Sequence, residues 1–81
     1  MNLRTKAFFD LAASELDRAM KRYPKLSSLH EAAAVIREEW DELWDEAKKW
    51  RGELPGEMRA NVLKKCVQIA AMAARTAEDL L

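Results

Sequence analysis

The sequence predicts an all-α protein of three helices, and three observations carry that expectation. Apolar residues recur three or four positions apart along three separate stretches. The only prolines and glycines, Pro24, Gly52, Pro55 and Gly56, fall between those stretches. No strand pattern, internal repeat or low-complexity tract appears.

The first helix is expected from about Leu3 to Tyr23, with Phe8, Leu11, Ala12, Leu16, Ala19, Met20 and Tyr23 at helical spacing. Pro24 ends it, because a proline pushes the preceding residue out of the α region. The second begins at Ser28, where Ser28, Leu29, His30 and Glu31 read as a capping box. Its apolar stripe is Leu29, Ala33, Ile36, Trp40, Leu43, Ala47 and Trp50. The third runs from about Glu57 to the end, on the stripe Met58, Val62, Cys66, Ile69, Ala73, Ala77 and Leu80.

Eighty-one residues make one domain, residues 1–81, near the lower size at which a single core holds a fold. Fourteen basic residues balance fourteen acidic ones, so no net field draws the chain to nucleic acid or to an anionic membrane. The lone Cys66 excludes an internal disulfide and fits a reducing compartment. Charges interrupt the apolar residues near the N-terminus, unlike a signal peptide, and no stretch is apolar enough to span a bilayer. The expectation is a cytoplasmic protein. The third helix carries Ala70, Ala71, Met72, Ala73, Ala74 and Ala77 around most of its circumference. A helix apolar on several sides is normally buried on several sides. That points to a homodimer, or a dimer of dimers, forming a four-helix-type bundle. The alternative is a monomeric three-helix bundle.

The chemistry is concentrated in the second helix, in the run REEWDELWDE. With Ile36 set to zero, Glu38 falls near about 200°, Glu42 near about 240° and Glu39 near about 300°. Three carboxylates therefore share one flank, and Asp45 and Glu46 extend it by a turn. Like charges so spaced repel. Lysines, solvent or a divalent cation can offset that repulsion, and clustered carboxylate oxygens suit Mg²⁺ or Mn²⁺. A solvated acidic face and a cation site are both open on periodicity alone.

The stretch HEAAAVIREEWDELWDEAKKW, followed after a short loop by CVQIAAMAARTAEDL, resembles the MazG-like all-α nucleoside triphosphate pyrophosphohydrolases. It is most similar to their compact phage- and mobile-element-type members, over helices 2 and 3. Their first motif, EExxE, is matched by Glu38, Glu39 and Glu42. The resemblance implies Mg²⁺ (or Mn²⁺) on these three glutamates and an NTP or dNTP substrate hydrolysed to monophosphate and pyrophosphate. One glutamate would accept the proton of the attacking water. It also implies a dimer or dimer of dimers. The family completes its metal site with ExxD on the next helix, and those positions fall here on Lys65 and Gln68. Neither is an anionic ligand, so a lysine is expected to face the glutamates where a cation would otherwise sit. Glu57 and Asp79 are the other acids placed to replace the missing ones. The alternative function is a non-catalytic helical dimer that keeps the scaffold as an interaction module.

Other residues have bland readings beside functional ones. His30, in the first turn of helix 2, can touch a phosphate or base, or lie exposed beside the cap. Trp40 and Trp50 lie on the core stripe and are expected to pack. Trp44, at its edge, suits an interface or a stacked nucleobase. Cys66 points into the core stripe and has no histidine partner. Arg75 can serve a phosphate or a surface ion pair.

Overall fold

In the computed structural model, which describes residues 1–81, the chain is helical throughout, with no strand. The helices are α1 (Leu3–Arg22), α2 (Leu29–Ala47) and α3 (Gly56–Leu80). Each begins or ends within about a residue of its expected boundary, except that α2 stops at Ala47 and leaves Trp50 in the following turn.

Local chemistry explains the boundaries. Asn2 caps α1 by accepting a hydrogen bond from the Thr5 N–H at 2.8 Å. Tyr23 leaves α1 in an extended conformation before Pro24, as the proline requires. Ser28 caps α2 through its hydroxyl, which accepts from the Glu31 N–H at 3.0 Å. Glu31 reaches back one residue further than a standard capping box, taking the Ser27 N–H at 3.2 Å and the Ser27 hydroxyl at 3.0 Å. Between α2 and α3 the chain turns at Gly52, whose φ of 93° lies where a side chain is disfavoured.

The three helices do not form a closed bundle. α3 packs on both others, whereas no Cα of α1 comes within 8 Å of a Cα of α2. α2 runs antiparallel to α3 and α1 runs alongside it in parallel. The core they share is small: Ala19, Ala71 and Met72, with Leu16, Val35 and Ile36 packed around them. Only 7 of 81 residues are buried, and no large side chain is wholly enclosed. Trp40 and Trp50, expected in the core, remain 46% and 56% exposed: α3 alone cannot cover the width of the α2 stripe at Trp40, and Trp50 lies past the end of α2. Trp44 is 51% exposed, and its ring stacks on Trp40 at 6.0 Å between centroids. Cys66 is half-buried.

One buried polar cluster ties the ends together. Arg75, only 5% exposed, donates from Nη2 to the Pro24 carbonyl oxygen. Its Nε lies 3.4 Å from Asp79, whose carboxylate also accepts the Leu26 N–H at 2.9 Å. The α1–α2 connection is thereby strapped to the last turns of α3. No helix is long and apolar enough to cross a membrane.

Candidate functional site

Because α1 and α2 stand apart, a cleft of about 430 Å³ opens between them with α3 as its floor. α1 contributes Glu15, Arg18, Ala19 and Tyr23, and α2 contributes Glu31, Val35, Glu38 and Glu39. α3 supplies Gln68, Met72 and Arg75, and Pro24 and Leu26 close one end. Its lining mixes apolar and charged side chains, with Glu38, Glu39 and Gln68 toward one end and Arg75 beside Pro24 and Leu26 at the other.

The glutamate end is ordered by helix register. Lys65 on α3 donates to Glu42 on α2, a partly buried ion pair. Glu39 precedes Glu42 by three residues, and Gln68 follows Lys65 by three. In antiparallel helices those two steps run the same way, so Glu39 stands opposite Gln68. Val35 and Ile36 continue the register onto Ala71 and Met72. Lys65, expected to face the α2 glutamates, does so, and it takes Glu42 in particular.

Two acceptors at this level have no donor: Glu39 Oε2 and Gln68 Oε1 are both buried and without a hydrogen-bond partner. Such groups are rare in folded proteins and usually mark a missing partner. Burial lifts the Glu39 carboxyl above its ordinary pKa, and the charge of Glu42 adds to it. Lys65 pulls the other way, while Glu38 and Glu15 contribute smaller upward effects. Lys65 is held above its ordinary value chiefly by its hydrogen bond to Glu42, against the opposing effect of its own burial. On the α1 wall, Arg18 grips Glu15 with two hydrogen bonds, Nε to Oε2 at 3.0 Å and Nη2 to Oε1 at 2.6 Å. That fork lowers the Glu15 carboxyl below its ordinary pKa.

Of the residues singled out from sequence, Glu38, Glu39, Gln68 and Arg75 share the cleft, and Arg75 is buried there rather than in a surface pair. Glu42 and Lys65 are paired beside it. Asp45 is exposed and paired with Lys48 at 3.2 Å, and His30 is exposed in the first turn of α2. Asp79 is engaged with Leu26 and Arg75, and Glu57 is exposed at the start of α3. Neither lines the cleft beside Glu38 and Glu39. No three His, Cys, Asp or Glu side chains converge as a ready-made metal cage. Two charged cleft residues were not singled out from sequence. Glu15 and Arg18 flank the α1 stripe at Leu16 and Ala19, and their i, i+3 pairing looked like any solvated helix pair.

Comparison of the chain with protein-family models, with curated proteins and with solved structures finds no match.

Proposed function

We propose that the cleft is the site of a cation-dependent nucleotide pyrophosphohydrolase, acting on an NTP or dNTP to give the monophosphate and pyrophosphate. The observation that carries this reading is the buried, donorless oxygen of Glu39 in a cleft of mixed charge. A divalent cation answers it directly, since it supplies positive charge where burial and like charges now raise the carboxyl. Mg²⁺ commonly takes one or two carboxylates and fills its remaining positions with water and substrate phosphates. Glu38 and Glu39, cleft glutamates without a cationic partner, would supply those carboxylates; Glu42, held by Lys65, would not enter the set. Bound there, Mg²⁺ or Mn²⁺ would polarise a phosphoryl group and acidify water.

The chain's own residues do the rest. Either Glu38 or Glu39 would take the proton of the attacking water. Met72, Val35 and Leu26 give the cleft apolar surface for a base or sugar. Lys65 neutralises Glu42 and so limits the charge of the site to what a single cation can balance. Incubation with a panel of NTPs and dNTPs and Mg²⁺ or Mn²⁺, assayed for pyrophosphate, tests the proposal. Release of pyrophosphate that Glu39→Gln abolishes supports it, and no release from any nucleotide refutes it.

A second reading has its own observation. The Lys65–Glu42 pair puts a cation of the protein where the resembling enzymes have an acid, which favours a scaffold that has given up catalysis and serves as an interaction module. Both readings include self-association into a four-helix-type bundle. It is supported by the sparse core and by the half-exposed Trp40, Trp44 and Trp50.

A further inference from the structure

We propose that Arg18 is the residue that contacts the phosphate chain, so that the cleft accepts a polyphosphate only together with its divalent cation. This rests on the cation reading of Glu38 and Glu39 above. Of the fourteen basic residues, only Arg18 and Arg75 line the cleft. Arg75 is already committed: it is buried, it donates to the Pro24 carbonyl, and Asp79 stands against it. Moving it would release the α1–α2 connection. Lys65, just outside the cleft, is spent on Glu42.

Arg18 has the opposite character. Its side chain is half exposed, on the α1 wall across from the α2 glutamates. Glu15, only 19% exposed, holds it through Nε and Nη2, which fixes the guanidinium plane; the Tyr23 hydroxyl is a lesser neighbour that a phosphate oxygen can displace. A planar guanidinium fixed in this way suits phosphate oxygens better than a lysine does. The remaining charges set the condition on the ligand. Glu15, Glu31, Glu38 and Glu39 outnumber the two arginines in the cleft, so a bare polyphosphate is repelled. A cation on Glu38 and Glu39 reverses that balance. The chain then lies between the cation on the α2 wall and Arg18 on the α1 wall.

Inorganic tripolyphosphate, which carries the phosphate chain without a nucleoside, is the probe. Calorimetric titrations use Mn²⁺ alone, tripolyphosphate alone, and tripolyphosphate with saturating Mn²⁺, on the parent, Arg18→Gln and Arg18→Lys. Circular dichroism confirms that the exposed substitutions leave the helices intact. The parent is expected to bind Mn²⁺ and the Mn²⁺–tripolyphosphate complex, but not tripolyphosphate alone. Arg18→Gln should keep its affinity for Mn²⁺ and lose about tenfold or more for the complex, the loss expected of one charge-assisted hydrogen bond. Arg18→Lys should recover part of that loss. If Arg18→Gln binds the complex as tightly as the parent, the assignment is overturned and the cation site survives. Parallel loss of Mn²⁺ affinity in Arg18→Gln also overturns it, by making the role structural. A parent that binds no Mn²⁺ overturns the cation reading and the Arg18 assignment together.

Discussion

Glu39→Gln is expected to stabilise the protein in the absence of divalent cations. In the parent, Glu39 Oε2 and Gln68 Oε1 are buried acceptors without a donor, on residues that helix register sets opposite each other. A glutamine at position 39 brings an N–H to that level and removes a partly buried charge that Glu42, Glu38 and Glu15 disfavour. A buried polar atom left without a partner costs about 1–3 kcal/mol. Only one oxygen of each residue is orphaned and Glu39 is part-exposed, so the gain should sit near the lower end, about 1 kcal/mol. For a domain of this size that raises Tm by roughly 4–8 °C.

The pH dependence follows from the direction of the pKa shift. The Glu39 carboxyl is raised in the fold, so the folded state binds this proton more tightly than the unfolded chain. Its contribution is present below the unfolded value, about 4.3, and is lost as pH rises through the folded value. A protonated Glu39 can itself donate to Gln68. Parent and variant should therefore melt alike near pH 4 and diverge toward pH 7. Thermal unfolding followed by circular dichroism in chelator at both pH values measures this. A variant no more stable than the parent at pH 7, or a gap of equal size at pH 4, refutes the reasoning. With Mn²⁺ present the order should reverse, because only the parent then gains stability by binding.

Other substitutions probe the rest of the molecule. Lys65→Glu with Gln68→Asp replaces the Lys65–Glu42 pair by an acidic cage; calorimetry should show tighter Mn²⁺ binding, and melting in chelator should show lower stability. Equal or weaker binding would count against the metal site. Arg75→Met leaves Asp79, 2% exposed, without its cation; the expected loss is about 3 kcal/mol in urea unfolding, and a loss under about 1 kcal/mol would dismiss the strap. Light scattering at micromolar concentration should give at least twice 9.3 kDa for the parent and the monomer mass for Trp40→Glu with Trp44→Glu. A parent mass near 9.3 kDa ends the assembly proposal.

The helices were legible because their signals are local. Pro24 and the Ser28–Glu31 cap act within one turn of the residues they stop or start. The spacing of Glu38 and Glu39 likewise placed both on the flank that the cleft uses. What was not legible depends on which helix covers which. Trp40 and Trp50 sit on a regular apolar stripe, yet a stripe records that a face is apolar and not how many neighbours cover it. Arg75 is buried because a carbonyl 51 residues away meets its guanidinium, and no local pattern announces that contact. Glu15 and Arg18 acquire meaning only once α1 is seen to stand opposite α2 across an open gap. The division of labour between Glu39 and Glu42 is set by register with α3, where Lys65 meets one and Gln68 the other.

The open gap and the bare tryptophans bear on each other. One of the three possible helix pairings is absent, since no Cα of α1 comes within 8 Å of a Cα of α2, and a core of alanines with Met72 is a weak substitute. Closing the gap within one chain would strengthen the core and destroy the cleft. Association on another face strengthens it without that cost. At about 100° per residue, Trp40 and Trp44 lie roughly 120–160° around α2 from Glu38, on the side away from the cleft. A second copy seated on the tryptophans would therefore cover apolar surface and leave Glu38, Glu39 and Arg18 open to a ligand. Site and assembly should then separate experimentally. Where Trp40→Glu with Trp44→Glu gives a folded monomer, Mn²⁺ should still raise its melting temperature. Loss of that rise in a helical monomer would mean that the partner copy completes the site, and that the cleft of one chain is insufficient.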